Sequence, residues 1–358
     1  MYTMADQSWR TRPRRMPIDV AEQAAARIGE HVRRHALGEI ELVLHGGEPL
    51  LAGPGFIAQL VAAVRTAVGD QAAVRTSVQT NGVGLNEEYL ALFDQIGVQV
   101  GVSLDGDPDA QDRHRRFTGG RGSHLAVTAG LSRLTDDRYR HLFNGLLCVI
   151  DLQNDPMATY EALLAFAPPR VDFLLPHGTW ESPPPGRLPD EAETPYADWL
   201  ITVFDRWYWQ PQTQIRFFAE IIRLLLGETS DFEMVGLEPV RFLVIETDGA
   251  IEQADTLKAA FSGAPRTGLN VSHDSFDAAL LLPEVAARQL GYRALSTECQ
   301  ECRIRQVCGG GLYAHRYRPG TGFANPSVYC PDLMRLIGHI RQTVAADIAT
   351  RLAGREEA

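Results

Sequence analysis

A chain of 358 residues, 45% hydrophobic and 22% charged, has the composition of an ordinary globular protein long enough to bury one large core with an appendage. Its formal charge of −11 and pI near 5.4 offer a polyanion no general attraction, so nucleic acid is not an expected partner. No apolar run approaches the roughly 18–20 residues of a membrane helix, and no charged-then-apolar leader opens the chain, so the expectation is no membrane and a cytoplasmic location, where clustered thiols signal metal.

The first residues, Met1 to Arg15, read as an irregular arm. Its arginines Arg10, Arg12, Arg14 and Arg15 suit a solvated basic edge, or a grip on a carboxylate or peptide. From Pro17, Ile18, Ala21, Ala25, Ile28 and Val32 recur at helical spacing as far as Leu37, and Gly38 is the stop. A strand then leads from Glu39 into His45-Gly46-Gly47-Glu48-Pro49. A helix spans about Pro54 to Val68, and a second strand leads from Val74 into Gln79-Thr80-Asn81-Gly82. A helix over Glu87–Ile96 precedes a third strand, which leads from Val98 into Ser103-Leu104-Asp105-Gly106. The alternation goes on through a helix near Leu125–Leu134, a strand at Leu146, a helix near Met157–Phe166 and a strand at Val171–Leu175. Five strands alternating with helices predict an α/β fold on a parallel sheet, open or closed into a barrel, with the active face at the strands' C-terminal ends. Taken singly, Gly-Gly, Asn-Gly and Asp-Gly are turn signals; three polar groups at the same end of successive strands point to a ligand site.

A Pro-rich stretch, Trp180 to Gly186, breaks the pattern. Helices near Tyr196–Trp209 and Ile215–Leu226 follow, then a hairpin over Phe242–Asp255 turning at Asp248-Gly249, and a closing amphipathic helix near Leu333–Leu352. Before that helix, Cys299, Cys302 and Cys308 stand in C-x2-C-x5-C order, with Cys330 as a fourth thiol arriving from a distant loop. Four soft thiolates serve zinc and an iron–sulfur cluster alike, and spacing leaves both open. Glycines 309 to 311 imply a tight backbone whose amide N–H groups can point at sulfur.

Gly-Gly-Glu-Pro, Gln-Thr-Asn-Gly and Ser-Leu-Asp-Gly after successive strands, joined to a late cysteine cluster, resemble the radical SAM enzymes with a SPASM-type domain. The phrases Ala-Asp-Gln-Ser-Trp, Leu-Leu-Pro-His-Gly, Glu-Thr-Asp-Gly and Tyr-Ala-His-Arg-Tyr are similar to those of peptide maturases that form cyclophane rings in ribosomally made peptides. The resemblance implies a partial (β/α)6 TIM-like barrel lacking its first strand over residues 1–180, a helical linker region over 181–240, a SPASM or twitch-like domain over 241–335 and a C-terminal helix over 336–358. It implies that Gly46, Gly47 and Glu48 hold the amino group of S-adenosylmethionine, Ser103 its ribose and Arg115 its carboxylate, with Asp105 in the same cofactor set. Cys299, Cys302, Cys308 and Cys330 match the complete ligand set of one auxiliary [4Fe–4S] cluster of the anaerobic sulfatase-maturating enzymes. A second auxiliary cluster would need thiols where Leu312 and Ala254 stand, so it is expected to be absent. Asp255 lies where those relatives keep a proton-accepting carboxylate, and reads equally as a hairpin-end aspartate.

The family's defining C-x3-C-x2-C motif has no counterpart, because no cysteine precedes Cys148. The radical SAM [4Fe–4S] cluster is therefore expected only if a misplaced start is corrected and the motif restored upstream, and the chain from Met1 is expected to be inactive. The implied activity is 5′-deoxyadenosyl-radical cross-linking of a precursor peptide, with a flavodoxin- or ferredoxin-type reductant. The competing readings are a non-catalytic peptide-binding relative with a structural four-cysteine site, and a plain zinc-stabilised α/β protein.

Overall fold

The computed structural model describes residues 4–187 and 193–356; the first three residues of the arm, 188–192 in the linker region and the last two of the C-terminal helix expected over 336–358 lie outside them. After a 3-10 turn at Ser8–Arg10, the chain runs α1 (Ile18–His35), β1 (Glu39–Leu44), α2 (Pro54–Val68), β2 (Ala73–Thr80), α3 (Glu87–Ile96), β3 (Val98–Ser103), α4 (Pro108–His114) and α5 (His124–Leu134). It continues through β4 (Phe143–Val149), α6 (Pro156–Leu164), β5 (Arg170–Leu174), α7 (Pro195–Trp209), β6 (Gln214–Ile215) and α8 (Arg216–Leu225). A three-stranded antiparallel sheet follows, β7 (Val244–Ile245), β8 (Ala250–Glu252) and β9 (Arg266–Asn270). The chain ends in α9 (Phe276–Leu280), α10 (Pro283–Ala287), α11 (Thr297–Glu301), α12 (Arg305–Cys308) and α13 (Cys330–Glu356).

The large sheet has six strands in strict chain order, β1-β2-β3-β4-β5-β6, and β1 to β4 pair parallel. Sequential parallel strands with a helix in nearly every crossover are the α/β architecture that the alternating pattern predicts. The chain divides into one unit of residues 1–148, 161–171 and 242–286, and another of 149–160, 172–241 and 287–358.

In the first unit α1 serves two cores. Ala25 and Val32 pack with Val64 and Val68 of α2, over Ile40, Leu42 and Val74 from the strands. Ala24, one position around the helix, joins Ile251, Val271 and Ala279 from the small sheet and α9. The two helices cross so closely that a Cβ on Gly29 would meet the Ala67 carbonyl oxygen at 2.3 Å, so the glycine at that point is a packing requirement. Asp6 ties the N-terminal arm down: its carboxylate accepts from the Ser8 hydroxyl at 2.5 Å and the Gly263 N–H at 2.7 Å.

In the second unit α13 lays Leu333, Leu336, Ile337, Ile340 and Val344, all buried, against α7 and α8. That spacing is one helical face, each side chain contributing about 1.5–3 kcal/mol of burial. The helix begins at Cys330, not near Leu333, so the fourth thiol stands on a helical first turn where a loop was expected. Further short elements have no counterpart in the sequence reading, among them α4 and β9. The short helix α4 is announced by Asp107-Pro108, whose aspartate accepts from the Ala110 N–H at 2.9 Å. The hairpin gains a third strand, β9, containing Gly268 at φ +77, whose glycine weakens the alternation signal. Among the described residues no helix is long and apolar enough to cross a membrane.

Candidate functional site

In the first unit the C-terminal ends of β1, β2 and β3 lie side by side, because Leu44 is in register with Val78 and Thr80 with Val102. The polar residues at and beyond those ends form three hydrogen-bonded groups, around Glu48, around Ser103 and around Asp105. Glu48 caps the short 3-10 turn that follows β1, accepting from the Leu50 N–H at 3.0 Å, the Thr80 hydroxyl at 2.7 Å and the Asn81 N–H at 2.8 Å. Gly46, at φ +69, and Gly47 precede it, exposed, and a Cβ on Gly46 would meet only open space; the turn needs its backbone freedom. Gln79 donates to the Ser103 hydroxyl at 3.1 Å, across a position where Gly101 has no side chain; a Cβ there would strike the Gln79 amide oxygen at 2.3 Å.

Asp105, buried, is held from both ends. Its N–H donates to the Gln111 side-chain oxygen at 2.8 Å, and Gln111 in turn donates to Ser123 at 3.2 Å. Its carboxylate receives Arg115 in a fork, Nε at 2.5 Å and Nη2 at 3.1 Å. Two residues read as contacting a ligand thus also hold each other. A guanidinium has five N–H donors, and this pair engages two of them. Gln111 had no sequence signal, since a buried glutamine on a short helix follows no pattern. Asp255 opens the 3-10 turn Asp255–Ala259 next to the fully buried Ala254, and is half-buried. The fifth cysteine, Cys148, is fully buried, and burial pushes its thiol well above the ordinary range, as expected of an inert core thiol.

In the second unit Cys299, Cys302, Cys308 and Cys330 line one cavity of about 500 Å³, together with Ser327 and Met334. Local structure delivers each thiol. Ser296 caps α11, accepting from the Cys299 N–H at 3.3 Å, Cys302 closes that helix, Cys308 ends α12 and Cys330 begins α13. Burial pushes the Cys308 thiol up to about 12, against the pull of a hydrogen bond from the Gly310 N–H, and pushes Cys330 up to about 11, with Cys299 and Cys302 adding to the shift. Glycines 309, 310 and 311 all have positive φ, of 58°, 80° and 68°. A Cβ on Gly309 would overlap the Gly236 carbonyl oxygen at 1.6 Å, so the turn tolerates only glycine there.

Arg316 locks this turn. It is buried and donates to the carbonyls of Gly309 at 2.6 Å, Gly310 at 3.1 Å and Gly311 at 2.7 Å. Burial lowers its pKa, while Cys308 and Cys299 pull it back up. Leu312, after the glycines, is buried. In the Tyr-Ala-His-Arg-Tyr phrase, Arg316 thus closes the glycine turn, and His315 is fully buried with its pKa pushed well below the ordinary value by desolvation.

The arm's arginines divide. Arg12 is not part of a solvated edge: its side chain is 8% exposed and pairs with Glu246 at 3.1 Å, Asp248 at 3.2 Å and Glu252, around the Asp248-Gly249 turn of the small sheet.

Residues 5–161 match the model of the Radical SAM superfamily. The serine-type anaerobic sulfatase-maturating enzyme of Klebsiella aerogenes is 27% identical over 311 residues, covering 83% of this chain and 73% of its own length. The cysteine-type anaerobic sulfatase-maturating enzyme of Clostridium novyi is 28% identical over 242 residues, covering 63% and 62%. Among solved structures, native anSMEcpe with bound AdoMet superposes with a TM-score of 0.77 at 20% identity, covering 92% of this chain and 89% of that one. SuiB of Streptococcus suis bound to S-adenosylmethionine gives 0.57 at 15% identity, covering 87% and 70%. At those identities the structural likeness is one of fold. By the matched domain and these relatives, the chain carries a radical SAM domain and is related to the anaerobic sulfatase-maturating enzymes.

Proposed function

We propose that this protein is a peptide-modifying radical SAM protein: S-adenosylmethionine binds at the ends of β1, β2 and β3, a [4Fe–4S] cluster sits among Cys299, Cys302, Cys308 and Cys330, and the substrate is a ribosomally made peptide. The observation that carries this reading is that Glu48, Ser103 and Asp105 stand at or just beyond adjoining ends of parallel strands, with Arg115 from the end of α4 held on Asp105, all within the span matched to the superfamily. Ser103 offers a hydroxyl to a ribose, and Arg115 offers its remaining donors to a carboxylate while Asp105 fixes its plane. Glu48 supplies a carboxylate for an ammonium group, pre-oriented by its bonds from Leu50, Thr80 and Asn81. When bound and reductively cleaved, S-adenosylmethionine would supply a 5′-deoxyadenosyl radical that takes a hydrogen atom from the peptide; attack of the resulting carbon radical on a neighbouring aromatic ring would then release one proton, for which Asp255 is the proposed acceptor, and one electron, which a cluster at the four thiols would accept. The partners are the peptide and a flavodoxin- or ferredoxin-type reductant. Peptide-bound relatives of the same fold, anSMEcpe with Kp18Cys peptide and SuiB with its precursor SuiA, are consistent with this substrate class.

The four-thiol cavity suits a cluster better than a single ion. Four sulfurs on one zinc at 2.3 Å would lie about 3.8 Å apart. Among the described residues, the donor groups gathered within 4.8 Å of one another do not include these thiols, which stand around a cavity of about 500 Å³. The Gly310 N–H aimed at Cys308 is the kind of donor that stabilises thiolate bound to iron.

The competing reading is a peptide-binding relative in which S-adenosylmethionine is bound without being cleaved. One experiment separates the two. The chain from Met1, and one extended at its N-terminus to include any in-frame C-x3-C-x2-C, are each reduced anaerobically with S-adenosylmethionine, and 5′-deoxyadenosine is measured. The proposal expects product from the extended chain and none from Met1. Equal product from both would mean the cleavage machinery has been misread, and none from either leaves the binding protein.

A further inference from the structure

Remote from the cofactor network in sequence, the first unit brings together two histidines from α1 and an aspartate from α9. His31 and His35 are four residues apart, so both imidazoles leave the same helix face, and their ring centroids are 4.4 Å apart. Asp277 meets both through a single oxygen: its Oδ1 lies 3.0 Å from His31 Nδ1 and 2.7 Å from His35 Nε2. One atom from each of the three residues lies within 4.8 Å of the others. We propose that His31, His35 and Asp277 form a binding site for a divalent transition-metal ion of the zinc class.

The geometry and the chemistry of the donors agree. Ligand atoms that share one tetrahedral ion at 2.0–2.2 Å stand about 3.4 Å apart; the two nitrogens lie 3.0 and 2.7 Å from Asp277 Oδ1 and all three atoms lie within 4.8 Å of one another, so small side-chain shifts bring the set onto one ion. Two imidazoles with one carboxylate suit zinc, nickel or copper and are a poor match for magnesium or calcium, which favour oxygen ligands. The set is also pre-oriented. Arg34 Nε holds the other carboxylate oxygen, Oδ2, at 2.8 Å, turning Oδ1 towards the two rings. Phe276 packs edge-on against His31, centroids 5.9 Å apart, which restrains that ring. The His31 side chain is 25% exposed, that of Asp277 18% and that of His35 43%, so the ion would have a path from solvent and room for a completing water. Because α1 also packs against α2 and the small sheet, an ion here would clip α9 to a helix already shared by two cores. Binding replaces the His–Asp hydrogen bonds with coordination through the same ring nitrogens.

The test uses untagged protein with its thiol site loaded with iron, so that added zinc is not drawn to the cysteines. Zinc chloride is titrated by calorimetry into this protein and into His31→Ala, His35→Ala, Asp277→Ala and Arg34→Ala, and iron is measured on the same samples to show that the thiol site is equally filled. The unsubstituted protein should take one zinc more than each of the three ligand variants, and zinc should raise its thermal midpoint but not theirs. Arg34→Ala should still bind zinc, about tenfold more weakly, because it orients a ligand without touching the ion. Alanine on an exposed helix face favours the helix, and circular dichroism verifies that the histidine variants fold. Equal zinc uptake by the parent and the His31→Ala/His35→Ala double variant would overturn the proposal, as would uptake of magnesium in preference to zinc. Low iron with normal zinc binding at these histidines would count against the cluster reading alone and leave this site standing.

Discussion

Arg115 grips Asp105 through two parallel hydrogen bonds, Nε to Oδ2 at 2.5 Å and Nη2 to Oδ1 at 3.1 Å, and the gripped aspartate is itself buried and tied through its N–H to Gln111. A guanidinium whose plane is fixed in this way presents its other donors in a set direction, and a carboxylate arriving there meets a prepaid geometry.

Arg115→Ala should weaken S-adenosylmethionine binding by about 10-fold or more, since a charged hydrogen bond contributes about 1.5–3 kcal/mol. Asp105→Asn, which leaves the cation in place but loosens its orientation, should have a smaller effect. Calorimetric titration of the cofactor into the three proteins measures both. Binding unchanged by Arg115→Ala would put the cofactor's carboxylate elsewhere.

Anaerobic reconstitution should load one [4Fe–4S] cluster, about four irons per chain, and Cys308→Ser should lose most of it. Iron and sulfide assays with the visible spectrum report the outcome. A parent protein that emerges with one zinc and no iron would contradict the assignment.

Removal of Arg316 leaves three buried carbonyls, those of Gly309, Gly310 and Gly311, without their donor. Arg316→Met should therefore destabilise the protein by about 3 kcal/mol or more, read from the urea midpoint. Arg316→Lys, a point charge with no fork, should recover only part of the loss. A midpoint unchanged by the methionine substitution would mean that the glycine turn holds itself.

Arg12→Ala should cost about 3 kcal/mol by stranding Glu252, whose side chain is 1% exposed, beside Glu246 and Asp248. Replacing Arg10, which is exposed, should change stability by less than about 0.5 kcal/mol. Equal thermal midpoints for the two variants would show that the arm does not depend on this ion cluster.

Asp6 links the fold to acid. Burial raises its pKa, but the hydrogen bonds from the Ser8 hydroxyl and the Gly263 and Ser8 N–H groups together outweigh that and hold it below the ordinary carboxylate value. A depressed folded pKa contributes stability that is present above the unfolded value, about 3.9, and is lost as pH falls through the folded one. Thermal midpoints measured from pH 6 down to pH 3 should fall more steeply for the parent than for Asp6→Asn, which has no such proton to take up. Parallel curves would remove Asp6 from the acid response.

The parallel α/β core was legible because its signals are local. Pro17 to Gly38 reads as a helix from spacing alone, the strands that end at Gly46-Gly47, Asn81-Gly82 and Asp105-Gly106 announce their own ends, and Cys299-x2-Cys302-x5-Cys308 declares a thiol site. Those patterns also determined which strand ends would gather polar residues. Pairings between residues remote in sequence were decided only by the tertiary structure. Nothing near Arg12 signals that it will meet Glu252, 240 positions on, and nothing near His31 predicts Asp277, 246 positions on. That Arg115 would hold Asp105, and Arg316 the carbonyls of three glycines, follows from where the turns place them, since an arginine's sequence context does not specify which acceptor its long side chain will reach. Periodicity reports which face of an element is apolar; the partner of a buried charge is selected by packing, because only the assembled fold removes water from around it.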